Sequence, residues 1–153
     1  MASKAELLNE DVEIIVFAVG GINCGLPISE VKEIIKTKNI TLAKGSAPYV
    51  TGVINLRGAI VTIVDLRIRL GLEVDSTQNA VYILLVRFKD ELIGLQVDRI
   101  EDSIYAHHKD FFPAPANLNN QSKDREFFRS AYKRDKDLVA ILNLENCLLE
   151  SGS

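Results

Sequence analysis

The sequence predicts an all-β fold with short helices, built as two small five-stranded barrels related by internal duplication. Three observations carry that prediction. Apolar residues come in short, β-branched runs separated by tight-turn residues. No helical pattern is long enough for the crossovers that parallel βαβ units require. The chain also repeats itself. Shifted by 69 positions, VEIIVFAVGGINCGLPISEVKEII (12–35) falls on VYILLVRFKDELIGLQVDRIEDSI (81–104), with Val12 on Val81, Gly25 on Gly94 and Val31 on Ile100. Shifted by 78, GVINLRGAIVTIVDLRIRL (52–70) falls on SAYKRDKDLVAILNLENCL (130–148), and Asp65 meets Asn143.

Each half has the same order of elements. A strand (about 13–19 and 82–88) meets a turn at Gly20-Gly21 or at Lys89-Asp90-Glu91, and a second strand follows (about 23–27 and 92–96). In ISEVKEIIKT, Ile28, Val31, Ile34 and Ile35 fall on one helical face, which predicts a short helix. A third strand lies near Ile40–Ala43. It leads to the hairpin GVINLRGAIVTIVDL (52–66), which turns at Arg57-Gly58, where glycine takes positive φ at little cost. Asp65 and Asn143 are N-caps for the short helices LRIRL and LENCLL, and Gly71 stops the first. The two offsets place an insertion at 105–129, rich in Pro, Asn and charge, which predicts a long loop. Residues 1–11 and 150–153 are expected to be tails. The domain would span 12–150, with one barrel mainly in 12–72, the other mainly in 80–149, and elements free to exchange. The seam between the barrels would be a natural groove.

Composition narrows the function classes. A net charge of −3 with scattered Lys and Arg lacks the basic face of a nucleic-acid binder. No apolar run approaches the ~18–20 residues of a membrane span, and the start MASKAELLNED has no apolar signal region. Cys24 and Cys147 belong to no CxxC-type spacing and are expected to be reduced, packed thiols. These points favour a cytoplasmic protein.

Signatures of catalysis are missing. GGINCG (20–25) continues into Leu26-Pro27 where a phosphate-binding loop requires Lys-Ser/Thr, and there is no GxSxG, HExxH or EF-hand pattern. His107-His108 is expected to be a solvated pair. Asp98, Glu101 and Asp102 are expected to form a solvated acidic face. Phe111-Phe112 and Phe127-Phe128 are expected to anchor the inserted loop. Arg57 differs from these, because its counterpart in the second half is Asp135. The residues leave three readings open: a solvated charge, a grip on a partner through its planar fork, or a pair with an acid across the seam.

The assembled stretches resemble the CheW family, the adaptors of bacterial chemosensory arrays. The resemblance rests on GVINLRGAIVTIVDLR (52–67), VFAVGGINCGLPISEVKEII (16–35), IGLQVDRIEDSI (93–104), PAP (113–115) and LVAILNLENCL (138–148). It implies two intertwined SH3-like five-stranded barrels and a cytoplasmic, non-enzymatic protein with no cofactor or metal, recruited to membrane-bound receptor arrays. The implied partners are the cytoplasmic tip of a chemoreceptor (a methyl-accepting chemotaxis protein) and the regulatory domain of a CheA-type histidine kinase. Neither nucleic acid nor membrane insertion is implied, and the protein would be a monomer in isolation. Receptor-binding positions fall on Val31, Glu33, Arg57 and Val81. Kinase and assembly contacts fall on Pro113, Ala114, Pro115, Asn117 and Leu118. The second hairpin, SAYKRDKD, and the Ala116-Asn117 that follow PAP depart from the family pattern. A coupling protein of a non-motility pathway and a stand-alone kinase regulatory domain are alternatives within the same fold. A nucleic-acid-binding barrel is the remote one.

Overall fold

The computed structural model describes residues 11–37, 40–43, 47–72, 81–115 and 126–148. In chain order the strands are β1 (Asp11–Val19), β2 (Ile22–Pro27), β3 (Val31–Thr37), β4 (Thr41–Leu42), β5 (Val50–Leu56) and β6 (Ala59–Asp65). Helix α1 (Leu66–Arg69) closes the first half. The second half repeats the series: β7 (Val81–Phe88), β8 (Glu91–Val97), β9 (Arg99–His107), β10 (Phe111–Phe112), β11 (Phe128–Arg134), β12 (Asp137–Leu142) and α2 (Leu144–Leu148). All five expected strands of each half are present, and a sixth joins them.

That sixth strand corrects the expected helix. Only Ile28–Glu30 makes a helical turn, of the 3₁₀ type, and Val31–Thr37 is extended. Along β3 exposure alternates: Lys32, Ile34 and Lys36 face out, while Val31, Glu33 and Ile35 are half-buried. β-branched residues tolerate this pleated, half-buried surface better than a helix. The inserted segment is also more ordered than a loop at its start. β9 runs to His107, and Phe111-Phe112 pair with Tyr132 and Ala131 of β11.

The strands form two six-stranded sheets. One has the order β3-β7-β8-β6-β5-β4, the other β10-β11-β12-β2-β1-β9. Each sheet takes four strands from one half and a hairpin from the other. The joins are the two parallel pairs, β6 with β8 (Thr62 opposite Ile93) and β12 with β2 (Ala140 opposite Cys24). These registers are equivalent under the duplication, since Thr62 aligns with Ala140 and Ile93 with Cys24. We call the β3–β8 unit the first barrel and the β1, β2 and β9–β12 unit the second.

Three apolar clusters hold this arrangement together. Ile54, Val61, Ile63, Ile83 and Leu85 fill the first barrel, and Ile14, Val16, Ala106, Val139 and Ile141 fill the second. The largest cluster lies between them and takes Phe17, Leu26, Val64, Leu84, Leu95, Phe128 and Leu142 from both sheets. Much of the expected seam groove is therefore core. Burying side chains of this size contributes about 1.5–3 kcal/mol each. Phe127 and Phe128 are buried in this cluster, whereas Phe112 is exposed.

The caps follow the sequence. The Asp65 carboxylate accepts from the Arg67 amide at 2.9 Å, and the Asn143 side chain accepts from the Asn146 amide at 3.0 Å. Gly71, at φ 73°, ends α1 in a Schellman motif, with Gly71 N–H donating to Ile68 and Leu72 N–H to Arg67.

Candidate functional site

The β5–β6 hairpin turns on two residues, Arg57 at φ 50° and Gly58 at φ 88°. Both angles are positive, as a type I′ turn needs to match the twist of its strands. The Asn55 side chain accepts from the Gly58 amide at 3.0 Å and steadies the turn. From this tip the Arg57 guanidinium reaches Glu33 on β3. One nitrogen donates to Glu33 at 2.7 Å, the other at 3.4 Å.

β3 stands at one edge of its sheet, and β5–β6 lie toward the other. Contact between them means that the sheet curls round and the ion pair clasps the closure. Arg57 pairs with an acid, within one barrel rather than across the seam, and its side chain stays largely open to solvent. The second barrel repeats the device one residue out of register. Arg134, beside the β11–β12 tip, approaches Glu101 on β9 at 3.6 Å. Asp135 replaces Arg57 in the alignment, yet an Arg–Glu ion pair is kept there in a looser form, longer than a hydrogen bond.

The Arg57 pair is solvent-facing, with side-chain exposures of 70% for Arg57 and 37% for Glu33. The hydrogen bond from Arg57 outweighs partial desolvation and holds the Glu33 carboxyl below its usual range. A lowered pKa means that the pair's contribution is present above the unfolded glutamate value, about 4.3, and is lost as pH falls through the lower folded value. The Glu33 side-chain NMR titration should accordingly have its midpoint below that of a free glutamate. Arg57→Ala should raise the midpoint toward the ordinary value, and an unmoved midpoint would remove the clasp.

Val31 is half-buried and packs against the central cluster, so partial burial reconciles its apolar character with an accessible position. Val81 is half-buried against the first-barrel core. It pairs with Thr37, while Val31 pairs with Val86 at the other end of the same ladder. The two valines are therefore roughly 17 Å apart along β7. The structure brings Glu33 and Arg57 together and leaves Val81 at a distance from Val31. Pro113 is exposed, Ala114 and Pro115 are half-buried, and Ala114 rests on the central cluster. Asn117 and Leu118 lie outside the described residues.

The acidic face needs correction. Asp98 is not a solvated charge. Its carboxylate accepts from the Gly20 amide at 2.7 Å and pairs with Arg67 at 3.3 Å. Arg67 is itself buried and also pairs with Asp65 at 2.8 Å. This triad links α1 and β6 to the β1–β2 turn, and sequence reasoning missed it. The spacing Asp65-Leu66-Arg67 hinted at a local pair, but nothing pointed to a partner 31 positions on. Glu101 sits between Arg99 and Arg134, and Asp102 is exposed.

The remaining candidates take structural places. His107 accepts from the Lys109 amide at 3.2 Å and caps a 3₁₀ turn. Cys24 and Cys147 are buried in the central cluster, where desolvation pushes the Cys147 thiol up to about 12 and the Cys24 thiol higher still. Among the described residues no His, Cys, Asp or Glu group is arranged to hold a metal ion, and no helix is long and apolar enough to cross a membrane.

Comparison with known proteins places this geometry. The CheW-like domain model matches residues 13–151. The chain is 31% identical to the chemotaxis protein CheW of Helicobacter pylori, over 95% of this chain and 87% of that protein. It is 33% identical to the chemotaxis protein CheW of Bacillus subtilis, over 92% and 88%. The crystal structure of the scaffolding protein TtCheW from Thermoanaerobacter tengcongensis superposes with a TM-score of 0.82 at 26% identity, covering 94% of this chain and 96% of that one. With the duplicated double barrel and the LRG hairpin in place, the chain belongs to the CheW family, the non-enzymatic adaptors that couple receptors to the kinase CheA in chemotaxis.

Proposed function

We propose that this protein binds the cytoplasmic tip of a chemoreceptor through the Arg57–Glu33 surface of the first barrel. It holds a CheA-type kinase regulatory domain through the segment that includes Pro113, Ala114, Pro115, Asn117 and Leu118. The observation that supports the receptor reading is the Arg57–Glu33 pair itself. Exposed ion pairs add little to a fold, yet this one fixes a planar, five-donor fork on an open surface beside half-buried Val31. Such a fork presents paired donors to a partner's polar groups while staying charged. Val81, at the far end of the β3–β7 ladder, would extend the footprint along a helical tip. The adaptor supplies no chemistry. By binding both partners at once it converts a receptor shift into a bias on the kinase, a coupling free energy between two sites. It acts in the cytoplasm at membrane-bound receptor arrays.

Arg57→Ala tests this. Affinity for a receptor-tip fragment should fall at least roughly tenfold. Affinity for the kinase regulatory domain should stay unchanged, and the melting temperature should move by no more than about 2 °C. Unchanged receptor affinity would withdraw Arg57 from the site, and a collapsed fold would make it structural.

A further inference from the structure

Arg69, the last residue of α1, reaches from the first barrel to the second. Its Nε donates to the Cys147 carbonyl at 2.7 Å and its Nη2 to the Asn146 carbonyl at 3.2 Å, both near the end of α2. Basic side chains suit that end of a helix, where carbonyls lack partners. The guanidinium carbon also lies 4.4 Å from the ring centre of Tyr49 and 5.1 Å from that of Phe127. Both rings are buried.

The duplication explains this placement. Tyr49 and Phe127 are counterparts under the shift of 78, and each is tied to its own barrel in the same way. The Asp65 amide donates to the Tyr49 carbonyl at 2.8 Å, and the Asn143 amide to the Phe127 carbonyl at 2.7 Å. A group at nearly equal distances from the two rings stands close to the pseudo-twofold axis between the halves. The counterpart of Arg69 is Cys147, whose carbonyl it takes. Arginine at both positions would bring two like charges to one place, so the link needs different residues in the two halves.

Apolar contacts are non-directional, so the central cluster holds the barrels together but fixes the angle between them only weakly. A stacked, hydrogen-bonded guanidinium is directional. Arg67 and Arg69 leave α1 on opposite sides, since two residues turn a helix by about 200°. Arg67 holds Asp98 and, through it, the Gly20 turn of the second barrel. Arg69 holds α2. Either tie alone would leave a pivot, and the two together remove it.

We propose that Arg69 is a positioning residue. It sets the angle between the barrels, and so keeps the kinase-binding segment of the second in register with the receptor surface of the first. This inference rests on the function proposed above.

Backbone residual dipolar couplings of the full-length protein, fitted separately to the strands of each barrel, test it. One alignment tensor should describe both barrels of the wild type, and Arg69→Met should need two. Arg69→Lys, which keeps a cation at the end of α2 and so protects the fold, should show the same split in milder form. In assemblies with a receptor-tip fragment and a CheA-type kinase, receptor-dependent kinase activity should fall at least roughly fivefold. Each variant should still bind the fragment alone and the regulatory domain alone as the wild type does. A single shared tensor in both variants overturns the proposal, and so does a split tensor with unchanged kinase control. Failure of the receptor reading shows separately, as normal fragment binding by Arg57→Ala, and leaves the tensors untouched.

Discussion

Arg67→Met should cost about 3–5 kcal/mol, the loss typical of removing one partner from a buried ion pair. For a chain of this length that corresponds to a fall of roughly 10 °C or more in melting temperature. Arg67 is almost fully buried between Asp65 and Asp98, at 2.8 and 3.3 Å. Methionine fills much of the volume but leaves two carboxylates facing each other away from water, without their counter-charge. Neutralising them should recover most of the loss, because replacing a whole buried charge cluster is often neutral or better. In the triple variant Arg67→Met, Asp65→Asn, Asp98→Asn, both asparagines can still accept from the backbone amides of Arg67's position and Gly20. Urea melts of the single and triple variants decide it. A single variant within 1 kcal/mol of wild type (roughly, on the scale of surface changes) would mean that the triad contributes little.

Gly94→Val is the second large effect, with an expected loss of about 3 kcal/mol from overpacking. Gly94 sits where β8 runs parallel to β6, opposite Ile63. A Cβ there would lie 2.5 Å from Ile63 Cδ1 and 2.8 Å from Ile83 Cγ2, and both isoleucines are fully buried. Gly25 occupies the equivalent place beside β12, with Ile14 at 2.7 Å from the same virtual atom. Adding Ile63→Val removes the offending Cδ1. The double variant should therefore lose less than the sum of the single losses. Strict additivity in denaturant melts would show that the strain arises elsewhere.

These two sites show what a sequence discloses. Gly25 and Gly94 aligned under the repeat, and so did the caps and hairpins, because period-two apolar runs and turn residues are local signals. β3 escaped for an equally local reason. Val31, Ile34 and Ile35 fit a helical face, and the acid on the strand's inner side, Glu33, broke the apolar alternation that would have revealed it. Its role becomes visible only when the sheet curls and brings Arg57 within reach. The alignment also hid the second clasp, since Arg134 and Glu101 are each displaced by one residue from the positions that match Arg57 and Glu33. Asp98 carries no mark in the sequence that separates it from Glu101 and Asp102. Its burial comes from a fold that sets the β1–β2 turn against α1.

The hairpin exchange has a consequence for assembly. β7–β8 complete the first barrel and β1–β2 complete the second, across parallel pairs at each join. Neither half of the chain holds all the strands of either barrel, so neither can close alone. During synthesis the first barrel must wait for Val97, and β1–β2 must wait for β12, more than a hundred residues on. Such distant pairings slow folding. In architectural terms the molecule is a tethered, domain-swapped dimer of its own repeat, and two copies of a half-length ancestor trading hairpins across a twofold axis would give the same interior.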